Sequence, residues 1–228
     1  MQGYRGRQAV VASLAGVGLC AGVLAALSTL ALRHGGRLSV DDRIARYAVL
    51  RWPTGLRSVS AGVTLLGSFG VTFALATVAA VLLVPRVGWA LALLPLIALN
   101  VAAIVSRYMK RWVARPRPPT WMHHASSSGY SFPSGHSTHA ASFLTALALV
   151  IAVRLARNRR QRQGTVLVVS LCIVLVGATR VILGVHWFTD VVGGWALGIG
   201  VALALFLVVN RFAPPPARQS SRPGRPSD

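Results

Sequence analysis

The sequence predicts an all-α fold, a bundle of six transmembrane helices, and three observations carry that expectation. The 228-residue chain has 54% hydrophobic and only 12% charged residues, with a mean hydropathy of +0.60. A soluble domain of this size needs a polar shell that such a composition cannot supply. The apolar residues also gather into six runs, 9–32, 59–84, 87–105, 137–153, 165–183 and 191–212. Runs of about 18 residues or more cross a hydrocarbon core of roughly 30 Å as helices. Finally, the polar residues outside the runs form clusters that a six-helix path brings to one side.

The first run follows Arg5 and Arg7 and could be read as a secretory signal. At about 24 residues it exceeds a typical signal core, and no small-x-small cleavage site stands out, so a retained helix is expected. Cys20 lies within it and Cys172 within the fifth run, which points to buried free thiols rather than a disulfide or metal site. Between the first two runs, "SVDDRIARYAVLRW" (39–52) opens on Ser39 with Asp42 three residues later, a cap-like start. Ile44, Tyr47, Ala48 and Trp52 recur near helical spacing, so the segment reads as an interfacial amphipathic helix or as an ordered loop anchored by Trp52. The fourth run has only 17 residues and gains length if its helix begins near Ser134. Residues 1–212 form one domain, and the tail "APPPARQSSRPGRPSD" (213–228) has the composition of a disordered basic segment.

The formal net charge of +20 raises nucleic acid as a partner. The arginines are spread among loops between apolar runs without a soluble basic module, so no nucleic acid is expected. Anionic lipid headgroups account for the same surplus. Lys110 is the one lysine, and Asp41, Asp42, Asp190 and Asp228 are the only acids. So few carboxylates leave little material for a carboxylate metal site, and no metal or other cofactor is expected. His123 and His124 are adjacent in a loop without carboxylates and read as solvent-facing.

The loop "RLARNRRQRQ" carries Arg154, Arg157, Arg159, Arg160 and Arg162 without an acid, the strongest positive-inside signal in the chain. Placing it in the cytoplasm puts both termini there too, with 12 Lys and Arg inside and 12 outside. The outside set includes Lys110, Arg117 and Arg180, which belong to the polar clusters. Without them the count is 12 against 9, which favours a multi-pass protein of the cell (inner) membrane with its clusters on the extracytoplasmic side.

Three clusters share that side, and ionisable groups at membrane depth face a bundle interior or a wet cavity. In "KRWVARPRP", Lys110, Arg111, Arg115 and Arg117 suit a phosphate, or equally a juxtamembrane stretch on lipid headgroups. Pro116 and Pro118 exclude a regular helix there. In "YSFPSGHSTHAAS", Pro133 can begin a helix whose first turn holds Ser134 and Gly135, where unpartnered N–H groups bind anions. His136 could protonate a leaving oxygen, and His139 is read as structural. In "TRVILGVHWFTD", His186 and Asp190 are four residues apart and share a helical face. The carboxylate can orient the ring and leave Nε2 as a nucleophile, or the pair can serve only to join helices. Gly184 allows a break that brings Arg180 close. A buried Asp190 needs His186 or an arginine as partner.

Together these residues resemble the type-2 phosphatidic acid phosphatase superfamily. Lys110, Arg117 and Pro118 match its Lys-x6-Arg-Pro motif, while Arg115-Pro116 has the wrong offset. Pro133, Ser134, Gly135 and His136 match Pro-Ser-Gly-His. Arg180, His186 and Asp190 match Ser-Arg-x5-His-x3-Asp, with Thr179 in place of serine. The resemblance covers 110–190. It implies an active site at the extracytoplasmic interface and metal-independent hydrolysis of a lipid phosphate or pyrophosphate through a phosphohistidine. In that scheme His186 is the nucleophile, Asp190 its orienter and His136 the acid, while Lys110, Arg117, Ser134, Gly135 and Arg180 bind phosphate. The substrate lies within the bilayer; a polyprenyl pyrophosphate such as undecaprenyl pyrophosphate is favoured over phosphatidylglycerol phosphate and phosphatidic acid. A lipid phosphotransferase using the same intermediate, and a non-catalytic lipid-binding or transport protein, are the alternatives. Oligomeric state is not readable from the sequence.

Overall fold

The computed structural model describes residues 2–33, 36 and 38–212; the basic tail lies outside them. Among the described residues there are nine α-helices and no strand: α1 Gln2–Arg33, α2 Ser39–Arg51, α3 Thr54–Thr64, α4 Phe69–Val87, α5 Trp89–Ala92, α6 Leu94–Val113, α7 Gly135–Val150, α8 Arg159–Ile182 and α9 Phe188–Phe212. The chain is all-α, as its apolar runs predict.

Among the described residues, five helical stretches are long and apolar enough to cross a membrane: Val10–Arg33, Phe69–Val87, Gly135–Leu155, Arg159–Ile182 and Phe188–Phe212. The third expected span, 87–105, is divided: Gly88 breaks the chain, Trp89–Ala92 form the short α5, and the rest begins α6, whose last turns carry Arg107, Lys110 and Arg111. The expected 59–84 helix is broken. Residues 59–64 finish α3, Leu65–Gly67 form a 3-10 turn, and extended Ser68 (φ −66°, ψ 144°) restarts the chain as α4. A Gly-Ser pair inside an apolar run supplies that break, which hydropathy alone passes over. The short fourth run is extended at both ends, by Gly135 and by a π-helical turn at Ile151–Leu155.

The segment 39–52 is helical, and α2 buries Asp41, Ala45, Ala48 and Val49. Its cap differs from expectation. Leu38 occupies the cap without a side-chain bond, and Ser39 is already helical. Cys172 is exposed on α8 and Cys20 half-buried on α1, not both buried, because a helix apolar all round does not reveal which face packs.

Helices α7 and α9 are in backbone contact. A Cβ on Gly194 would lie 2.7 Å from the Ser134 carbonyl, and one on Gly198 would lie 2.6 Å from that of Thr138. This Gly-x3-Gly face opposite Ser134, Ser137, Thr138 and Ser142 is how helices approach where lipid offers no hydrophobic driving force. A buried cluster of Leu83, Leu94, Ala98, Ala146, Ala202 and Phe206 ties α4, α6, α7 and α9 together farther along the bundle.

Candidate active site

Four helix ends meet at one end of the bundle: the C-termini of α6 and α8 and the N-termini of α7 and α9. At the far ends of α7 and α8 the expected basic loop is mostly helical: Arg154 lies in the π-helical turn after α7, Arg157 in the short link, and Arg159, Arg160 and Arg162 in the first turns of α8. Ala114 stops α6 in the left-handed conformation (φ 48°, ψ 34°), a geometry costing an L-residue about 1–2 kcal/mol. From there the chain delivers Arg115 and Arg117 to different partners. Gly184 (φ +67°) makes the corresponding turn between α8 and α9, and a Cβ there would lie 1.9 Å from the Met122 carbonyl oxygen. Only glycine fits that approach.

His186 is almost wholly buried. Its Nδ1 lies 3.2 Å from Asp190 Oδ2, and its Nε2 lies 3.2 Å from Arg117 Nη1. A guanidinium can only donate, so Nε2 accepts and Nδ1 carries the proton toward the carboxylate. Burial first, and then the charges of Lys110, Arg117 and Arg180, hold this imidazole well below its ordinary pKa. The ring is therefore neutral, with its Nε2 lone pair turned to a cationic neighbour.

Asp190 is fully buried and pairs with both partner types foreseen for it. Oδ2 accepts from His186 and from the Trp187 N–H at 3.0 Å, and Oδ1 accepts from Arg115 Nη1 at 2.6 Å. Ser134 sits at the cap of α7 rather than within its first turn, after a cis Phe132–Pro133 bond. Its N–H donates to the Asp190 carbonyl at 2.9 Å, so this backbone donor, expected for an anion, joins α7 to α9. That bond brings Gly135 and His136, both half-buried in the first turn of α7, to the side of the His186–Asp190 pair.

The cations are unevenly engaged. Lys110 Nζ donates to the Tyr130 and Ser131 carbonyls at 3.0 and 3.2 Å. Arg117 donates to the carbonyls of Ser128, Gly129, Tyr130 and Val185. A phosphate would compete with these carbonyls for both side chains. Arg180 is buried and donates through Nη1 to Thr64 Oγ1 at 2.8 Å, while its Nε has no partner among the described residues. His139 is tied to the Gly67 carbonyl at 3.2 Å and set edge-on to Phe69. His123 is not simply solvent-facing: its Nε2 meets the Pro118 carbonyl at 2.8 Å and staples the loop. Among the described residues no group of three His, Cys, Asp or Glu side chains is placed to hold a metal.

Arg115 has the wrong offset for the Lys-x6-Arg-Pro motif, and Asp41 belongs to none of the three polar clusters. The structure buries both and pairs them at 2.6 Å. The usable signal was scarcity: in a chain with four acids, the argument applied to Asp190 applied equally to Asp41.

An all-α membrane bundle with a buried His–Asp pair facing three cations is the frame of a phosphate-handling membrane protein. The PAP2 superfamily matches residues 88–214. Phosphatidylglycerophosphatase B of Bacillus subtilis (strain 168) is 33% identical over 175 residues, which span 76% of this chain and 83% of that protein. An undecaprenyl-diphosphatase of Sulfolobus acidocaldarius is 24% identical over 72% of this chain and 77% of its own. The crystal structure of a transmembrane PAP2-type phosphatidylglycerolphosphate phosphatase from Bacillus subtilis aligns with a TM-score of 0.72 at 29% identity, covering 88% of this chain and 94% of that one. The chain belongs to the PAP2 superfamily.

Proposed function

We propose that this chain is a multi-pass phosphatase of the cell membrane that hydrolyses a lipid phosphate through a phosphohistidine at His186. The observation that carries the reading is the fixed tautomer of His186: Asp190 takes Nδ1–H at 3.2 Å, so Nε2 is unprotonated, and its lone pair turns to phosphorus once Arg117 leaves it for a phosphate oxygen. Arg117 Nη1, 3.2 Å from Nε2, is placed to meet an equatorial oxygen of a phosphate under attack. Lys110, Arg180 and the Gly135 N–H supply the remaining charge stabilisation, the dominant need of phosphoryl transfer. The P–O bond to the leaving group breaks as the P–N bond forms, and His136 gives its proton to the departing oxygen. Water then cleaves the P–N bond, releasing phosphate. The residues meet this need with fixed cations, so turnover is expected without a metal.

The α6 run counts as a sixth span in this reading, with both termini cytoplasmic and the site extracytoplasmic. Beside the site, a cavity of about 240 Å³ is lined by Tyr47 and Trp52 near α2, Ala178 and Val181 of α8, and Phe188 and Trp195 of α9. Its apolar walls suit a hydrocarbon tail. Similarity to the Bacillus subtilis protein favours phosphatidylglycerol phosphate, with a polyprenyl pyrophosphate, preferred on sequence grounds, as the second candidate. The test is phosphate release from both lipids and phosphatidic acid by purified protein in detergent with a chelator. Release from one lipid class that persists with chelator is expected; activity abolished by the chelator, or no release from any lipid, would overturn the reading.

His136→Ala separates the acid from the nucleophile. Its loss of turnover, about 10²–10⁴-fold for a general acid, should be largest for lipids with alkoxide leaving groups and smaller for a pyrophosphate, whose leaving group is already stabilised. Equal losses on both would remove the acid role.

A further inference from the structure

We propose that Arg115 and Asp41 are positioning residues for the His186–Asp190 pair, forming a buried relay that runs from α2 to the nucleophile. The inference rests on the reading of His186 given above. Arg115 and Asp190 are 1% and 0% exposed, and Asp41 is 0% exposed. The guanidinium of Arg115 is used on three sides. Nη1 donates to Asp190 Oδ1 at 2.6 Å and Thr189 Oγ1 at 2.7 Å. Nη2 donates to Asp41 Oδ2 at 2.6 Å, and Nε donates to the Gly36 carbonyl at 2.8 Å.

Arg115 takes the Asp190 oxygen that His186 does not. Oδ2 already accepts from His186 and Trp187, so Arg115 on Oδ1 stops the carboxylate from rotating about its last torsion. The direction of the imidazole is then set by a residue that never touches the ring. Asp41 performs the same service one step back. Its Oδ1 accepts the Thr189 N–H at 2.9 Å and its Oδ2 accepts the Thr189 hydroxyl at 2.6 Å, so Thr189 bridges Asp41 and Arg115. Trp187 closes the arrangement, with its ring 5.8 Å from the guanidinium and its indole N–H on the Pro116 carbonyl at 2.9 Å.

The charge arrangement explains why two acids flank one arginine. Lys110, Arg117 and Arg180 already face the site, and a fourth mobile cation there would be drawn to the incoming phosphate and release Asp190. Asp41 holds Arg115 back. A planar fork with several fixed donors is what arginine offers and lysine does not.

Full-length Arg115→Met, Arg115→Lys and Asp41→Asn proteins, purified in detergent, are compared with wild type for phosphate release from phosphatidylglycerol phosphate across pH. The groups around His186 are Lys110 on α6, Arg117 in the loop, His136 on α7, Arg180 on α8 and Asp190 on α9, with Arg115 and Asp41 behind Asp190. Removing the Arg115 charge favours the imidazolium form. Arg115→Met should therefore lower kcat about 100-fold, as misorientation remote from the chemistry does, with KM within about threefold, and move the acid limb of kcat/KM upward by about half a unit or more. Arg115→Lys should recover part of both, and Asp41→Asn should lose roughly tenfold in kcat by loosening Arg115. Helical circular dichroism and the thermal midpoint report folding separately. Arg115→Met with kcat within twofold of wild type, or losses matching only the folded fraction with an unmoved pH profile, would overturn the relay. A His186→Ala control that still turns over would instead overturn the site reading beneath it.

Discussion

His186→Ala is expected to lower turnover by at least about 10⁴-fold, the scale on which losing a nucleophile is felt, while leaving the protein inserted in the membrane. The imidazole contacts Asp190 Oδ2, Arg117 Nη1 and the backbone of Ser131. Both side-chain partners keep others without it: Asp190 retains Arg115 and the Trp187 N–H, and Arg117 retains its carbonyls. The chemical loss has no such replacement, since no other imidazole touches Asp190 among the described residues. Quenching in alkaline detergent during turnover should trap an alkali-stable, acid-labile phosphoenzyme in wild type and none in the variant. The neutral state of His186 adds a pH signature. Burial and three nearby cations push its pKa down, so the acid limb of wild-type kcat/KM should lie below the ordinary imidazole range. Turnover by the variant above 1% of wild type, or an acid limb at an ordinary histidine value, would remove His186 as nucleophile.

Much of this arrangement was legible in the sequence, and the reasons differ by residue. The pairing of His186 with Asp190 was readable from their spacing, but not as a shared helix face: His186 lies in the turn two residues before α9 and Asp190 in the first turn of that helix, so the contact closes across a helix start. The position of Arg180 followed from Gly184, whose left-handed turn is a local property. Ser134 was harder. Its helix-start position was readable, but the commitment of its N–H to the Asp190 carbonyl depends on how closely α7 meets α9. Arg115 shows the limit most clearly. Only Pro116 separates it from Arg117, yet after Ala114 in the left-handed conformation one goes to Asp41 and Asp190 and the other to the 128–130 carbonyls. No propensity argument places an alanine there. The broken 59–84 run fails for a related reason: hydropathy measures whether residues tolerate lipid, not whether they continue a helix.

Arg180→Met is expected to separate catalysis from stability. Arg180 is 4% exposed, it donates to Thr64 Oγ1 at 2.8 Å, and its Nε is buried without a partner among the described residues. A buried donor left unsatisfied costs about 1–3 kcal/mol, more when charged, and an apolar side chain of similar volume often relieves that cost. The free protein should therefore gain thermal stability, by about 1 kcal/mol or more on that scale. Catalysis should move the other way. A donor fixed in a water-poor site contributes about 10²–10³-fold to kcat when it meets developing charge, and a guanidinium facing phosphate oxygens belongs at the upper end. Two readouts then oppose each other: kcat/KM falls while the unfolding midpoint of the ligand-free protein rises. Inorganic phosphate supplies a third, since it should raise the wild-type midpoint by binding the native state and leave the variant unmoved. A variant that is less stable yet within about tenfold of wild-type kcat/KM would mean that Arg180 holds α3 to α8 through Thr64 and takes no part in phosphate binding.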